Sequence, residues 1–277
     1  MQTIAVLMTC HNRKDKTLAC LAALFANTLP EGYALKVFLV DDGSTDGTGA
    51  AVAGKYPEVQ VVLGDGSLYW CGGMRLAFST ALTQNYDSYL FLNDDTELYP
   101  NAIVCLLNSH QKILQLTHAD SMIVGSVIDP KTGELTYGGR TSRGWKQPLY
   151  YDFVIPETVP VLCDTANANC LFVPKYIADN LGNLDSAFIH DKADFDYGLR
   201  AKRKGMKTYV ASEVVGTCPA NPYLPPATFN GMTMLQKWKY LTSPKQYPPV
   251  EWLIYTWRHA GPLWFLHWMR PYRRLFD

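Results

Sequence analysis

The sequence predicts an α/β fold: a central, mostly parallel sheet with helices on both faces, followed by a helical, aromatic-rich C-terminal extension. Two patterns predict the sheet. Short apolar runs without polar alternation, such as Ile4–Met8 and Tyr89–Leu92, read as strands buried on both faces. Between them lie segments whose apolar residues recur at helical spacing, and this strand–helix alternation repeats four times. The extension is read from a change in composition. Residues 219–277 carry Pro222, Pro225, Pro226, Pro244, Pro248 and Pro249 together with Trp238, Trp252, Trp257, Trp264 and Trp268.

Residues 3–9 form the first expected strand, ending at Cys10-His11-Asn12-Arg13. Asp15 or Lys16 opens a helix whose apolar positions are Leu18, Leu21, Ala22, Leu24 and Phe25. Leu35–Val40 is a second strand, stopped by Asp41-Asp42-Gly43-Ser44-Thr45-Asp46-Gly47-Thr48, and a helix over Thr48–Lys55 leads to a third strand, Val59–Leu63. After a Gly-rich loop comes a helix over Gly73–Thr83, then the strand Tyr89–Leu92, which ends in Asn93-Asp94-Asp95-Thr96. Three polar clusters thus fall at the carboxyl ends of strands in one sheet, where open α/β sheets bind ligands. The Asp-Asp-Gly-Ser cluster alone could be turn chemistry, and Asp94 or Asp95 alone could cap a helix at Pro100–Asn108. Their convergence argues a nucleotide-type pocket.

Downstream, Ile103–Leu116 reads as a helix, Ser121–Ile128 as a strand and Asp129–Glu134 as a hairpin turn. Tyr137–Tyr151, with Gly138, Gly139, Arg140 and Trp145, reads as a loop over the pocket. Strands at Val161–Asp164 and Cys170–Val173 flank Thr165–Asn169. Phe195, Leu199 and Lys202 stand at i, i+4 and i+7. This spacing predicts a helix starting near Asp191 or Lys192 that buries Phe195 and Leu199, with Asp191 as N-cap and Asp194 at N3. Val210–Cys218 reads as a closing strand.

Composition removes several function classes. Lysine plus arginine number 25 and aspartate plus glutamate 25, so no basic excess points to nucleic acid. The seven cysteines are scattered without a C-x-x-C pair or zinc spacing, as expected of free thiols in a reducing cytoplasm. No run of 18 apolar residues and no signal-peptide pattern occurs, so a cytoplasmic location is expected, with peripheral contact at the inner face of the membrane as an option.

Residues 1–216 resemble family 2 glycosyltransferases, inverting enzymes of the GT-A fold, among them rhamnosyltransferase-like proteins that build bacterial cell-surface polysaccharides. The resemblance is carried by Thr9-Cys10-His11-Asn12-Arg13, Val40–Thr48, Gly72-Gly73-Met74-Arg75, Leu92-Asn93-Asp94-Asp95-Thr96, Leu184–Phe188 and Ala193–Arg200, in that order. It implies a Rossmann-like sandwich with a catalytic domain over 1–218, split into a donor-binding half (1–98) and an acceptor half (99–218), and the extension over 219–277.

The resemblance also implies roles. Thr9 and Asp42 would hold nucleobase and ribose, with Asp65 a further candidate for the same contact, and His11 and Arg13 would line the donor site. Asn93-Asp94-Asp95 takes the D-x-D slot: Asp95 would bind a Mg²⁺ or Mn²⁺ ion bridging the diphosphate, and Asp94 would touch ribose or metal-bound water. Gly73 and Arg75 would approach the diphosphate at a helix start. Trp70, Asn167 and Asn169 would border sugar and acceptor. Asp194 would be the general base, with Asp191 the alternative because Ala193 replaces the usual glutamate. Relatives carry a metal-binding histidine near Gly216-Thr217-Cys218 that is missing here, and His190 could substitute.

The expected partners are a nucleoside-diphosphate sugar, UDP- or dTDP-linked, and a glycan or lipid-linked glycan acceptor. Pro262 can begin a helix that sets Trp264 and Trp268 one turn apart, flanked by Arg258, Arg270, Arg273 and Arg274. Such a segment suits either an anionic lipid surface, through residues 248–277, or packing on the catalytic domain or a second subunit. Two other functions stay open: a nucleotidyltransferase making the sugar nucleotide, disfavoured because Thr9–Arg13 lacks glycine, and a non-catalytic glycan- or nucleotide-binding protein.

Overall fold

The computed structural model describes residues 1–221 and 225–276, so Pro222 lies outside the described residues. The chain opens with β1 (Gln2–Cys10), α1 (Lys14–Phe25), β2 (Tyr33–Asp41), α2 (Thr48–Lys55), β3 (Gln60–Leu63), α3 (Tyr69–Leu82) and β4 (Ser88–Leu92). Next come β5 (Glu97–Leu98), α4 (Ala102–Thr117), β6 (Ser121–Ile128), β7 (Leu135–Tyr137), β8 (Gly139–Ser142), β9 (Tyr151–Phe153), β10 (Val161–Cys163), β11 (Thr165–Ala166) and β12 (Cys170–Pro174). It closes with α5 (Lys175–Leu181), α6 (Ala193–Arg203), β13 (Lys207–Thr217), α7 (Pro226–Asn230), α8 (Met234–Leu241), α9 (Pro249–His259), α10 (Trp264–Met269) and a 3₁₀ segment, Arg270–Leu275.

The main sheet runs β3-β2-β1-β4-β12-β6-β13-β10, with β5 and β7 attached to β13 and β6. β1, β2, β3 and β4 are mutually parallel, and β13 is parallel to β6. β12 is antiparallel to both its neighbours, β4 and β6. Along β1, Ala5 and Leu7 pack into a core with Phe38, Phe78 and Phe91, whereas Ile4, Val6 and Met8 pack into a second core with Leu21, Leu24 and Ile103. Alternate residues therefore bury on opposite faces, which is why the run shows no polar alternation. The expected α/β sandwich with a mostly parallel sheet is the observed one.

Three local readings change. Residues 137–151 are not an irregular loop: β8 and β9 pair as a hairpin and join β11 in a second, three-stranded sheet. Helix α3 begins at Tyr69, four residues before the expected start, so Gly73 lies in its second turn and not at its N-terminus. A Cβ there would fall 2.0 Å from Thr9 Oγ1, so the glycine lets α3 press directly on the end of β1. Helix α6 begins at Ala193, after Lys192 at φ +66°, and no side chain caps it. Asp191 is thus outside the helix and Asp194 is its second residue. Its buried face is Ala193, Asp196, Tyr197, Gly198 and Ala201, with Tyr197 meeting the rings of Phe78 and Phe91. Phe195 and Leu199 are half-buried because that side faces the hairpin, where Phe195 packs edge-on against Tyr151 at 5.2 Å.

The C-terminal extension is helical, as expected, and its first long helix is part of the core. Trp252 and Tyr255 of α9 pack into the same cluster as β1, β4 and α6. Asp196 of α6 is wholly buried and ties the two helices: it accepts from Arg200 Nε (2.8 Å), Arg258 Nη1 (3.2 Å) and His259 Nε2 (2.9 Å). Burial pushes the His259 pKa down. The ring's Nδ1 faces Arg203 Nη2 at 2.8 Å, so the neutral imidazole accepts there and donates from Nε2 to Asp196. In contrast, α10 buries none of its residues, leaving Phe265, Leu266 and Met269 about half exposed. Among the described residues, no helix is long and apolar enough to cross a membrane.

Two stability outcomes follow. Gly73→Ala should cost about 1–3 kcal/mol in urea unfolding through overpacking against Thr9, and Thr9→Ala in the same chain should recover part of that loss. Asp196→Ala should cost about 3–5 kcal/mol, because it removes the buried anion shared by Arg200, Arg258 and His259, of which Arg258 alone keeps a second carboxylate, Asp185; a thermal melt unchanged from wild type would contradict this.

Candidate active site

Parallel β1, β2 and β4 all end at one edge, and the loops that follow them hold one another. After β1, Asn12 at φ +51° turns its side chain toward the loop after β2, where Asn12 Oδ1 accepts from the Thr45 N–H (2.7 Å) and the Asp46 N–H (3.3 Å). His11 Nδ1 meets the Asp42 carbonyl at 2.5 Å and its Nε2 meets Asn12 Nδ2 at 3.1 Å, on a residue that is exposed as a whole. Asp41, not singled out from the sequence, is buried and accepts from the N–H groups of Ser44 and Gly49 (both 3.0 Å), which shapes the β2–α2 turn.

Asp42 is also buried. Its carboxylate accepts from the N–H groups of Gly66 (2.8 Å), Leu68 (3.0 Å) and Tyr69 (3.1 Å), so it shapes the loop entering α3. Thr9 lies beneath Gly73 at the end of β1 and is nearly buried. Asp65 is on the exposed tip of the β3–α3 loop, where the Ser67 hydroxyl holds its carboxyl below the usual range.

The carboxylate pair after β4 forms the centre of the site. Arg13 Nη1 contacts Asp94 Oδ1 at 3.0 Å and Arg13 Nη2 contacts Asp95 Oδ2 at 2.6 Å, so one guanidinium bridges both. Asp94 also accepts from the Thr17 hydroxyl at 3.4 Å. Burial pushes the Asp94 carboxyl up to about 7, partly offset by Arg13 and reinforced by Asp95. Asp95 Oδ1 accepts from the Cys218 thiol at 3.5 Å. Burial and the Asp95 charge push that thiol to about 12, so it stays protonated. Cys218 therefore occupies the place beside the pair, within the Gly216-Thr217-Cys218 stretch where the resemblance places a histidine, although nothing in the sequence marked the thiol itself as a partner of Asp95.

Asn93, Trp70 and Asn169 form the frame around this pair. The Trp70 indole Nε1–H donates to Asn93 Oδ1 at 2.7 Å, the Asn93 N–H donates to the Asn169 carbonyl at 3.1 Å, and Asn169 Nδ2 donates to Cys218 Sγ at 3.5 Å. An acceptor is all that Trp70 requires of residue 93, which an asparagine supplies as well as an aspartate would. His190 is turned elsewhere. Its Nδ1 accepts from the Trp70 N–H at 3.4 Å, its ring packs edge-on against Tyr69, and burial lowers its pKa. Among the described residues no three His, Cys, Asp or Glu side chains assemble as a metal cluster, so His190 does not join Asp95 in one. Arg75 is likewise engaged: Nη1 donates to the carbonyls of Phe188 (3.2 Å) and Asp185 (3.5 Å), bracing the loop before α6.

Asp194 enters from α6. Its Oδ2 accepts from the Ala168 N–H at 3.3 Å and its Oδ1 from the Phe195 N–H at 2.8 Å. Burial pushes its carboxyl up to about 6, and repulsion from Asp191 adds to the rise. Asp191 is paired with Lys192 Nζ at 2.5 Å and its side chain is 38% exposed. Ala168 adjoins Asn169, so the chain passes from the Asp194 carboxylate to the Asn93–Asp95 frame within two residues. Asn167 accepts from Arg140 Nε at 3.1 Å. Arg140 is half-buried, which lowers its pKa, and the Asp194 carboxylate contributes most to offsetting that burial. A separate cavity of about 890 Å³ opens between the β8–β9 hairpin and the extension, with Trp145, Lys146, Lys202, Arg203 and His267 on its wall and none of the site residues named above.

The residues present suit a divalent ion. Two adjacent carboxylates already neutralised by a cationic group are a hard-oxygen donor set of the kind Mg²⁺ uses together with substrate phosphates and water. No curated protein matches the sequence. Among solved structures, TarS of S. aureus superposes with a TM-score of 0.51 at 12% identity over 88% of this chain and 40% of that protein, so the chain spans two fifths of the TarS length and the likeness is one of fold. A sequence model of Glycosyl transferase family 2 matches residues 5–172, from β1 through most of β12. The chain belongs to glycosyl transferase family 2.

Proposed function

We propose that this glycosyltransferase moves a sugar from a UDP- or dTDP-type nucleoside-diphosphate donor to a hydroxyl of a glycan or lipid-linked glycan, with inversion at the anomeric carbon. The observation that carries the proposal is Asp194, a carboxylate raised to about 6 and one short segment from the Asp94–Asp95 pair. A base with a pKa near the working pH is ionised and can still take a proton.

In this reading the acceptor hydroxyl lies against Asp194, which takes its proton as the oxygen attacks from the face opposite the departing diphosphate. Two backbone N–H groups fix the carboxylate's orientation, while Lys192 holds Asp191 aside. Asp94 and Asp95 would hold a Mg²⁺ or Mn²⁺ ion, which supplies Lewis-acid stabilisation of the leaving diphosphate. The Trp70–Asn93–Asn169 frame keeps the pair at the strand end, and Thr9, Asp42 and the loop it shapes would receive the nucleoside. Arg140, braced by Asn167, lies on the acceptor side. The exposed apolar residues of α10 beside Arg270, Arg273 and Arg274 support peripheral membrane contact, which would suit a lipid-linked acceptor.

The test is incubation with UDP-, dTDP- and GDP-sugars plus Mn²⁺. Release of sugar from any donor supports the enzyme, and binding without turnover, even with acceptors supplied, overturns it in favour of a non-catalytic protein. With a donor identified, Asp194→Asn should lower kcat about 10²–10⁴-fold. Near wild-type transfer by that variant, with loss in Asp191→Asn, would move the base to Asp191.

The pH profile has a defined sign. Asp94 and Asp194 must both be ionised, so kcat/KM should fall as pH drops through about 7 and more steeply through about 6, and Asp194→Asn should remove the lower step alone.

A further inference from the structure

Arg13 holds the two carboxylates that a divalent ion would need. It is the last residue before α1, and its backbone is pinned by the neighbouring Asn12, whose N–H donates to Ser44 Oγ at 2.9 Å. Its side chain, however, is 36% exposed, against 5% for Asp94 and 10% for Asp95. Both of its ionic contacts among the described residues are to this pair, at 3.0 and 2.6 Å. The guanidinium thus closes the open side of a recessed anionic site, and a long flexible stem lets it leave without moving the backbone.

One oxygen from each of two adjacent carboxylates, drawn to a single cationic centre, is a geometry that guanidinium and divalent ion both satisfy. They compete directly. An ion entering here must expel a positive charge from hydrogen-bond distance of both ligands, and expulsion leaves the guanidinium without an anion. A diphosphate is the ligand class that replaces the carboxylates as a bidentate acceptor for arginine.

We propose that Arg13 is an internal counter-cation that keeps the Asp94–Asp95 pair closed to divalent ions until an anionic phosphate ligand draws its guanidinium away. This deepens the proposed donor-site reading and rests on it for the identity of that ligand. The competition between Arg13 and the ion does not depend on it. Metal and phosphate binding are then thermodynamically coupled, each raising the affinity for the other.

The experiment is Mn²⁺ binding to the full chain, followed by electron paramagnetic resonance of the free ion, with no nucleotide or acceptor present. Arg13→Ala should bind Mn²⁺ at least about tenfold more tightly than wild type, within the usual range of such coupling. The gain should vanish in Arg13→Ala/Asp95→Asn. If alanine impairs folding, Arg13→Gln serves in its place, and Mn²⁺ should raise its melting temperature more than that of wild type. Equal or weaker Mn²⁺ binding in the Arg13 variants, or a gain that survives Asp95→Asn, overturns the proposal. No sugar donor enters the assay, so failure of the glycosyl-transfer reading shows separately, as absence of turnover in the donor panel.

Discussion

The site depends on one antiparallel pairing. β12 runs against β4 with Cys170 opposite Leu92, in a sheet whose other central strands are parallel. In a parallel neighbour, the residue beyond Leu92 would meet the carboxyl end of another strand. Reversal instead brings the residues that precede β12, Asn167 to Asn169, against those that follow β4, Asn93 to Asp95. The Asn93 N–H to Asn169 carbonyl bond continues the ladder one step past the strands. Because Ala168 also donates to Asp194, the carboxylate pair and the α6 carboxylate meet at the place where strand direction reverses.

A second constraint fixes α6 from behind. Gly198 allows the helix to approach β11 so closely that a Cβ would fall 2.4 Å from Thr165 Oγ1, and that hydroxyl donates to the Phe195 carbonyl at 2.9 Å. On another side Asp196 gathers Arg200, Arg258 and His259, and Arg258 also reaches Asp185 at 2.7 Å. The helix that carries Asp194 is therefore held by the small sheet and by α9 together. Through α9 the C-terminal extension helps set the geometry of the site. The exposed face of α10 lies one helix further out, tied to α9 by the Trp268 indole N–H on the Pro249 carbonyl at 3.0 Å.

Much of this was legible in the sequence where the signal was local. The strands β1, β2, β4 and β6 and the helices α2 and α4 are written in runs and periods of a few residues, and the polar clusters at strand ends follow from them. What failed was what depends on distant partners. Gly73 resembled a phosphate-approaching turn, but its purpose in the packing is set by Thr9, far away in sequence on β1. The Phe195–Leu199 spacing pointed to a buried face, yet the deeper face is chosen by Phe78 and Phe91, more than 100 positions earlier. Cys218 beside Asp95 and Asp42 beneath the 66–69 loop were equally invisible. A cysteine or an aspartate declares its partners only when the chain has folded.

Two carboxylates near the site centre are raised by the same force and differ in what offsets it. Burial lifts Asp94 to about 7 and Asp194 to about 6. Asp94 has a full cationic charge within 3.0 Å, whereas Asp194 has backbone N–H groups as its hydrogen-bond partners, with the nearby ammonium of Lys192 spent on Asp191. At Asp94 burial outweighs even that cation, so of the two it is the more readily protonated. At Asp194 two backbone N–H groups temper burial despite a second carboxylate nearby, and the proton exchanges just below neutrality. The two acids thus reach similar values by different routes, one held by a guanidinium that a second cation would have to displace and the other by backbone dipoles. In the proposed reading the first would receive a metal ion and the second the acceptor's proton.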